Sequence, residues 1–240
     1  PMIVSLPLLL LVLDYWPLRR GLRIAEKLPF VVLALASSPA TLVGQTGAIT
    51  VAFPLSDRLA NAAVALCSQL GRALWPAGLA VLYPHPKHWA LSTVVAAGAL
   101  LAVPAALAFA LRRRAPWFGA GLAWFALALG PTLGLVQVGF QSTADRYTYL
   151  PQIGVWIALV WSVPEARLLS RAALSAGAAA LVAFALLSRA QLGYFRDDLA
   201  LWQRALAVTE NNWFAHTEAG IGVAARGRNA EAVAELAEAT

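Results

Sequence analysis

The chain has 240 residues, 60% of them hydrophobic and only 12% charged, with a mean hydropathy of +0.68. A soluble domain carries about 25% charged residues, so the composition excludes an ordinary water-soluble enzyme and points to an integral membrane protein. Lys and Arg outnumber Asp and Glu by 18 to 12, but the basic residues cluster between apolar runs, as the positive-inside rule places them, and nucleic acid is excluded as a partner.

In chain order, Met2–Leu13 reads as the end of a transmembrane helix that runs into Asp14-Tyr-Trp-Pro-Leu-Arg-Arg20. Tyr15 and Trp16 suit the headgroup level, and the cluster Arg19, Arg20, Arg23 and Lys27 marks a cytoplasmic side. The run from Leu28 to about Gly44 is a second span, with Ser37-Ser-Pro39 expected to kink it, and Gln45–Ser56 reads as an external loop. Asp57–Trp75 repeats Leu and Ala at helical spacing, but Arg58, Ser68, Gln69 and Arg72 interrupt it. That suits a helix in the interface or packed in a bundle, capped by Ser56, better than a lipid-facing span. Tyr83–Trp89, with Pro84 and Pro86, reads as a rigid interfacial loop.

Ala90–Leu111 is a clear span ending in Arg112-Arg-Arg114. Trp117–Val136 is another, interrupted at Gly130-Pro131; the next is Pro151–Val163, closed by Arg167 and Arg171; the last is Ala172–Leu187. The three basic clusters then fall on one face. The 45–89 region, the 137–150 loop and the tail fall on the other. The lone Cys67 excludes an internal disulfide and reads as a packing residue.

From about Arg189 the chain turns amphipathic. Blocks match at a spacing of about 34 residues, the tetratricopeptide period, with Trp202 over Leu236 and Ala205 over Ala239. Leu199–Val208 is expected to end one repeat unit, and Trp213–Arg226 with Asn229–Thr240 to form the next, with Gly220, Gly227 and Ala232 as small packing residues. The fold class expected is all-α: a polytopic helix bundle over 1–188, then an extramembrane α-solenoid over 189–240. Both ends read as cut, so a fragment of a longer protein is expected.

Chemistry-bearing residues gather in two external segments. One holds His85, Lys87 and His88, as an interfacial or substrate loop. Its histidine pair lacks a third ligand, so no metal and no cofactor is assigned. The other, Gln141–Pro151, holds Asp145, Arg146, Tyr147 and Tyr149 at a membrane edge, where ionisable residues are costly. An arginine there suits a lipid-linked phosphate, which its planar fork binds bidentately. A local Asp145–Arg146 pair that anchors the following helix is the other reading. His216 reads as a packing or surface residue.

Several runs resemble the bacterial relatives of the transmembrane and tetratricopeptide-repeat-containing O-mannosyltransferases, of the GT-C superfamily of polytopic glycosyltransferases. They are Leu11–Arg20, Glu26–Phe30, Leu74–Pro86, Gly134-Leu-Val-Gln-Val-Gly and Ala144–Pro151, followed by the repeat. The resemblance implies an inner-membrane enzyme that moves a sugar, mannose among the candidates, from a polyprenyl-phosphate donor to a protein or glycan hydroxyl. It implies an extracytoplasmic active site and repeats on the same side. It puts the catalytic acidic residue N-terminal to Pro1, and carries Arg146 over as donor-phosphate ligand with Tyr149 as support. Asp145 is expected to be held ionised by its arginine neighbour. The alternative is a membrane-anchored repeat scaffold, whose repeats recruit a protein partner. A transporter is disfavoured, since no span carries a charge pair at mid-membrane.

Overall fold

The computed structural model describes residues 2–44, 53–135, 139–164, 167 and 170–239. The fold is almost wholly helical. α1 spans Leu6–Tyr15, α2 Leu28–Gly44, α3 Leu55–Leu74, α4 Leu91–Leu111, α5 Pro116–Leu129 and α6 Gln152–Val160. α7 spans Arg171–Leu192, α8 Asp198–Val208, α9 Trp213–Ala224 and α10 Asn229–Glu238. One short antiparallel ladder joins β1, Tyr83–Pro84, to β2, Gln141–Thr143, with Tyr83 opposite Thr143.

Among the described residues, two helical stretches are long and apolar enough to cross a membrane: Leu91–Leu111 and Arg171–Phe195. Their side chains point outward; Leu91 is 78% exposed and Leu181 72%. α2 follows the expected bounds and runs through Ser37-Ser-Pro39 as one element. The remaining expected spans are shorter than read. α5 stops at Leu129 after 14 residues, because Pro131 has no N–H to continue the ladder and the chain tightens into a 3-10 turn over Gly130–Thr132. α6 has nine residues and gives way to turns before Pro164, which disfavours helix in the residue ahead of it. The expected external loop Gln45–Ser56 lies largely outside the described residues. Its end belongs to α3, which starts at Leu55 behind Pro54, so Ser56 is inside the helix and does not cap it.

The tightest packing is between α5 and α6. A Cβ on Gly121 would meet the Gly154 carbonyl oxygen, with the Ala158 Cβ at 2.9 Å; one on Gly154 would meet the Gly121 carbonyl oxygen. Backbones lie against each other there, which only glycine allows. Phe125, Leu129 and Val155 from this pair join Ala65 and Ala73 of α3 in the main core.

The end of α1 lies against Arg112 and Trp161. Tyr15 donates to the Arg112 carbonyl at 3.4 Å, and the Trp16 and Trp161 rings meet edge-on at 5.5 Å. Asp14, at the end of α1, is buried and bonded by Lys27 and by Arg20 at 2.7 Å. Arg20 and Arg23 also pair with Glu26. Arg19–Lys27 is therefore folded back around one carboxylate, not merely a run of surface charge.

The three tail helices keep the expected order. Ala219 and Val223 of α9 pack between Leu199 of α8 and Ala232 of α10. Gly220 lets Leu236 approach, since a Cβ there would lie 2.9 Å from the Leu236 Cγ. Gly227 has a different job from the one expected. Its φ of +74° serves the turn between α9 and α10, and nothing lies within 4 Å of its missing Cβ. His216 Nδ1 lies 2.8 Å from a Glu235 carboxylate oxygen, tying α9 to α10.

Candidate functional site

The two polar segments expected to carry chemistry lie side by side. The ladder joins them, the Ser142 hydroxyl donates to the Tyr83 carbonyl at 3.2 Å, and the His85 N–H donates to the Phe140 carbonyl at 2.9 Å. Both are strapped to α3. Its polar positions, which interrupt the apolar pattern in sequence, form its inner face. Asn61 is fully buried and donates to the carbonyls of Leu133 and Ser142, both at 3.1 Å, while accepting from the Trp89 indole at 3.2 Å. Gln69, also fully buried, donates to the Ala144 carbonyl at 2.9 Å and to the Thr143 hydroxyl. An amide buried without partners would cost about 1–3 kcal/mol, so these bonds decide which way α3 faces.

Asp145 begins a 3-10 turn, Asp145–Thr148. Its Oδ2 accepts from the Tyr83 hydroxyl at 3.0 Å and from the Ala80 N–H at 3.2 Å, and its Oδ1 faces Arg72 Nη1 at 3.5 Å. The same Arg72 guanidinium stacks over the Tyr83 ring, 3.7 Å from its centroid. The expected Asp145–Arg146 pair does not form. Successive residues of a 3-10 turn point about 120° apart, so Asp145 turns inward to Arg72 while Arg146 turns out. Arg146 is exposed, and its guanidinium lies 5.1 Å from the Tyr147 ring centroid. Tyr147 accepts from the Gln141 amide at 2.8 Å and packs on the main core. Tyr149 is 74% exposed beside Arg146.

Burial outweighs Arg72, Tyr83 and the Ala80 N–H, and raises the Asp145 carboxyl above its ordinary value of 3.8. On balance its surroundings disfavour the charged form, the reverse of the expected effect of an arginine neighbour. Burial, with the Asp145 carboxylate beside it, pushes the Tyr83 phenol up to about 12, so Tyr83 remains a hydroxyl donor. A carboxyl whose value rises on folding stabilises the fold at low pH and loses that contribution as pH rises through the raised value. Replacing Asp145 with Asn should therefore flatten the stability–pH curve from about the ordinary aspartate range upward. Thermal midpoints of both proteins across that range check this: the wild type should gain on the variant as pH falls.

The histidine segment is split between the interior and the surface. His85 is buried, stacked on Phe53 with ring centroids 4.0 Å apart, and its Nδ1 accepts from the Lys87 N–H at 3.1 Å. Burial lowers its ring below the ordinary histidine range. His88 is exposed and meets Asp57 of α3 at 3.0 Å, while Lys87 is exposed with a φ of +65°. Among the described residues, no three His, Cys, Asp or Glu side chains come together as metal ligands.

Arg72 and Tyr83 are the members that sequence reasoning missed. Tyr83 stood in a named segment, but Arg72 read only as a break in a helix pattern. The tail packs on this same assembly. Ala80 is buried against Ala205 and Ala215, and Phe140 lies 4.9 Å from the rings of both Trp213 and Phe214. Comparison of the chain with family models, curated proteins and solved structures gave no match.

Proposed function

We propose that the chain belongs to a polytopic membrane glycosyltransferase of the GT-C kind, which moves a sugar from a polyprenyl-phosphate donor to a hydroxyl acceptor. Arg146 is its ligand for the donor phosphate. One observation carries the reading. Of the two arginines near Asp145, Arg72 is committed to that carboxylate, and Arg146 is exposed with no acidic partner among the described residues, near the exposed Tyr149 in the chain. A guanidinium stays charged and offers a phosphate two parallel donors. Tyr149 lies against the sugar or the headgroup layer. The exposed apolar surfaces of α4 and α7 support a membrane location, which this reading takes to be the inner membrane. In this reading the tail helices are of the tetratricopeptide kind and lie on the extracytoplasmic side, the side of this site.

The resemblance of the motif runs to the O-mannosyltransferases supports the donor class. The packing of the tail on the loops supports the reading that tail and site share a side. In this reading the chain's own part in the reaction is to hold the leaving phosphate.

The rival reading is a repeat scaffold with a passive anchor. The two part on one comparison in cells. For a transferase, substitutions at Arg146 and Tyr149 abolish sugar transfer while the protein stays in the membrane. For a scaffold, they are silent, and only removal of the residues after Arg189 has an effect.

A further inference from the structure

The segment from Gly78 to Tyr83 has two faces, and each is occupied. On one, the Ala80 side chain is buried with Ala205 of α8 and Ala215 of α9, and Val81, Tyr83, Trp202 and Leu206 pack around them. The Asn212 amide, which caps α9, also reaches the Leu82 carbonyl at 3.5 Å. On the other face, the Ala80 N–H is shared between the Tyr83 hydroxyl at 2.9 Å and Asp145 Oδ2 at 3.2 Å, and the Tyr83 hydroxyl donates to the same Oδ2. One residue, Ala80, is thus both a floor for the tail helices and a donor to Asp145. Tyr83 touches the tail cluster, Arg72 and Asp145 at once.

Asp145 is joined directly to Arg146, and the Thr148 hydroxyl donates to the Asp145 carbonyl at 2.6 Å, so the turn moves as a unit. Oδ2 has its two donors only while the 78–83 segment is in place. Oδ1 has no hydrogen bond of its own, only the Arg72 charge at 3.5 Å. Gln69 of α3 fixes the backbone at Ala144, while the Asp145 carboxylate takes its two hydrogen bonds from the 78–83 side, and that side is held by α8 and α9.

We propose that Tyr83 is a positioning residue that links the tail helices to Arg146: docking of α8 and α9 on the 78–83 segment sets Asp145, and Asp145 sets the guanidinium that receives the donor phosphate. This rests on the reading of Arg146 given above. The repeats then do more than recruit an acceptor, because their seating fixes the donor site.

The test uses the whole chain in detergent, with phosphatidylcholine vesicles carrying decaprenyl phosphate as the probe. Tyr83→Phe keeps the ring over which Arg72 stacks and removes only the hydroxyl. Trp202→Ala weakens docking from the tail side. Both should speed amide exchange across 141–149 and weaken vesicle binding by about three- to tenfold, the scale of one hydrogen bond. Placed on top of Arg146→Ala, Tyr83→Phe should cause no further loss, because the hydroxyl acts through that arginine. A merely structural role would give additive losses, and additivity overturns the proposal. Unchanged exchange and binding in Tyr83→Phe, alongside weakened binding in Arg146→Ala, overturns the proposal and leaves the phosphate site standing. Unchanged binding in Arg146→Ala removes both.

Discussion

Replacing Arg146 with alanine is expected to cut sugar transfer from a polyprenyl-phosphate donor by about ten- to a hundredfold, with no change in folding. A hydrogen bond to a charged group contributes about 1.5–3 kcal/mol, and each 1.4 kcal/mol is a factor of ten. Stability should hold because Arg146 is exposed and makes no ion pair among the described residues; its guanidinium lies 5.1 Å from the Tyr147 ring centroid. An exposed cation–π contact is worth at most about 1 kcal/mol. Arg146→Lys should recover only part of the activity, since a point charge keeps the attraction and loses the fork. Arg72→Ala should behave in the opposite way. It takes the charge from beside a half-buried carboxylate and the cation from the Tyr83 ring, so its first effect is on stability. Initial rates with thermal midpoints on the same preparations separate the two. Full activity in Arg146→Ala would contradict the assignment.

The largest loss of stability is expected between α5 and α6. Gly154→Ala puts a Cβ onto the Gly121 carbonyl and within 2.9 Å of the Phe125 nitrogen. Those are backbone atoms, which cannot rotate away, so the helices must separate. Overpacking costs about 1–3 kcal/mol, and a site walled by backbone belongs at the upper end of that range. Gly154→Leu should not fold. The consequence reaches the site, because α6 follows Pro151 directly and the Trp124 indole donates to the Leu150 carbonyl at 3.0 Å across this contact. Gly177→Ala in α7 is the matched control. Nothing lies within 4 Å of its Cβ, and alanine is the better helix former, so its midpoint should stay or rise. A Gly154→Ala midpoint equal to that of wild type would contradict the close approach.

Local pattern made much of this fold legible. The apolar run from Leu28 to Gly44, the span ended by Arg112-Arg-Arg114 and the three tail helices lie close to where periodicity and turn residues put them. Each of those signals acts within a few residues of what it shapes. The site was legible only as two polar segments. Their pairing depends on Asn61, Gln69 and Arg72, which look like defects in an apolar pattern until the face they share has a partner. The adjacency of Asp145 and Arg146 suggested an ion pair, but the tight turn between them points one inward and the other out. Only the fold could show that Arg72 is the inward partner and Arg146 the available one.

The most direct test of the central claim is a titration of wild type and Arg146→Ala with phosphatidylcholine vesicles carrying decaprenyl phosphate, with phosphatidylglycerol vesicles of equal charge alongside. The account predicts that wild type prefers decaprenyl phosphate and that the variant loses about tenfold or more of that affinity. Equal binding by both proteins, or no preference over phosphatidylglycerol, would contradict it, and the tail helices would then be the part of the molecule to pursue.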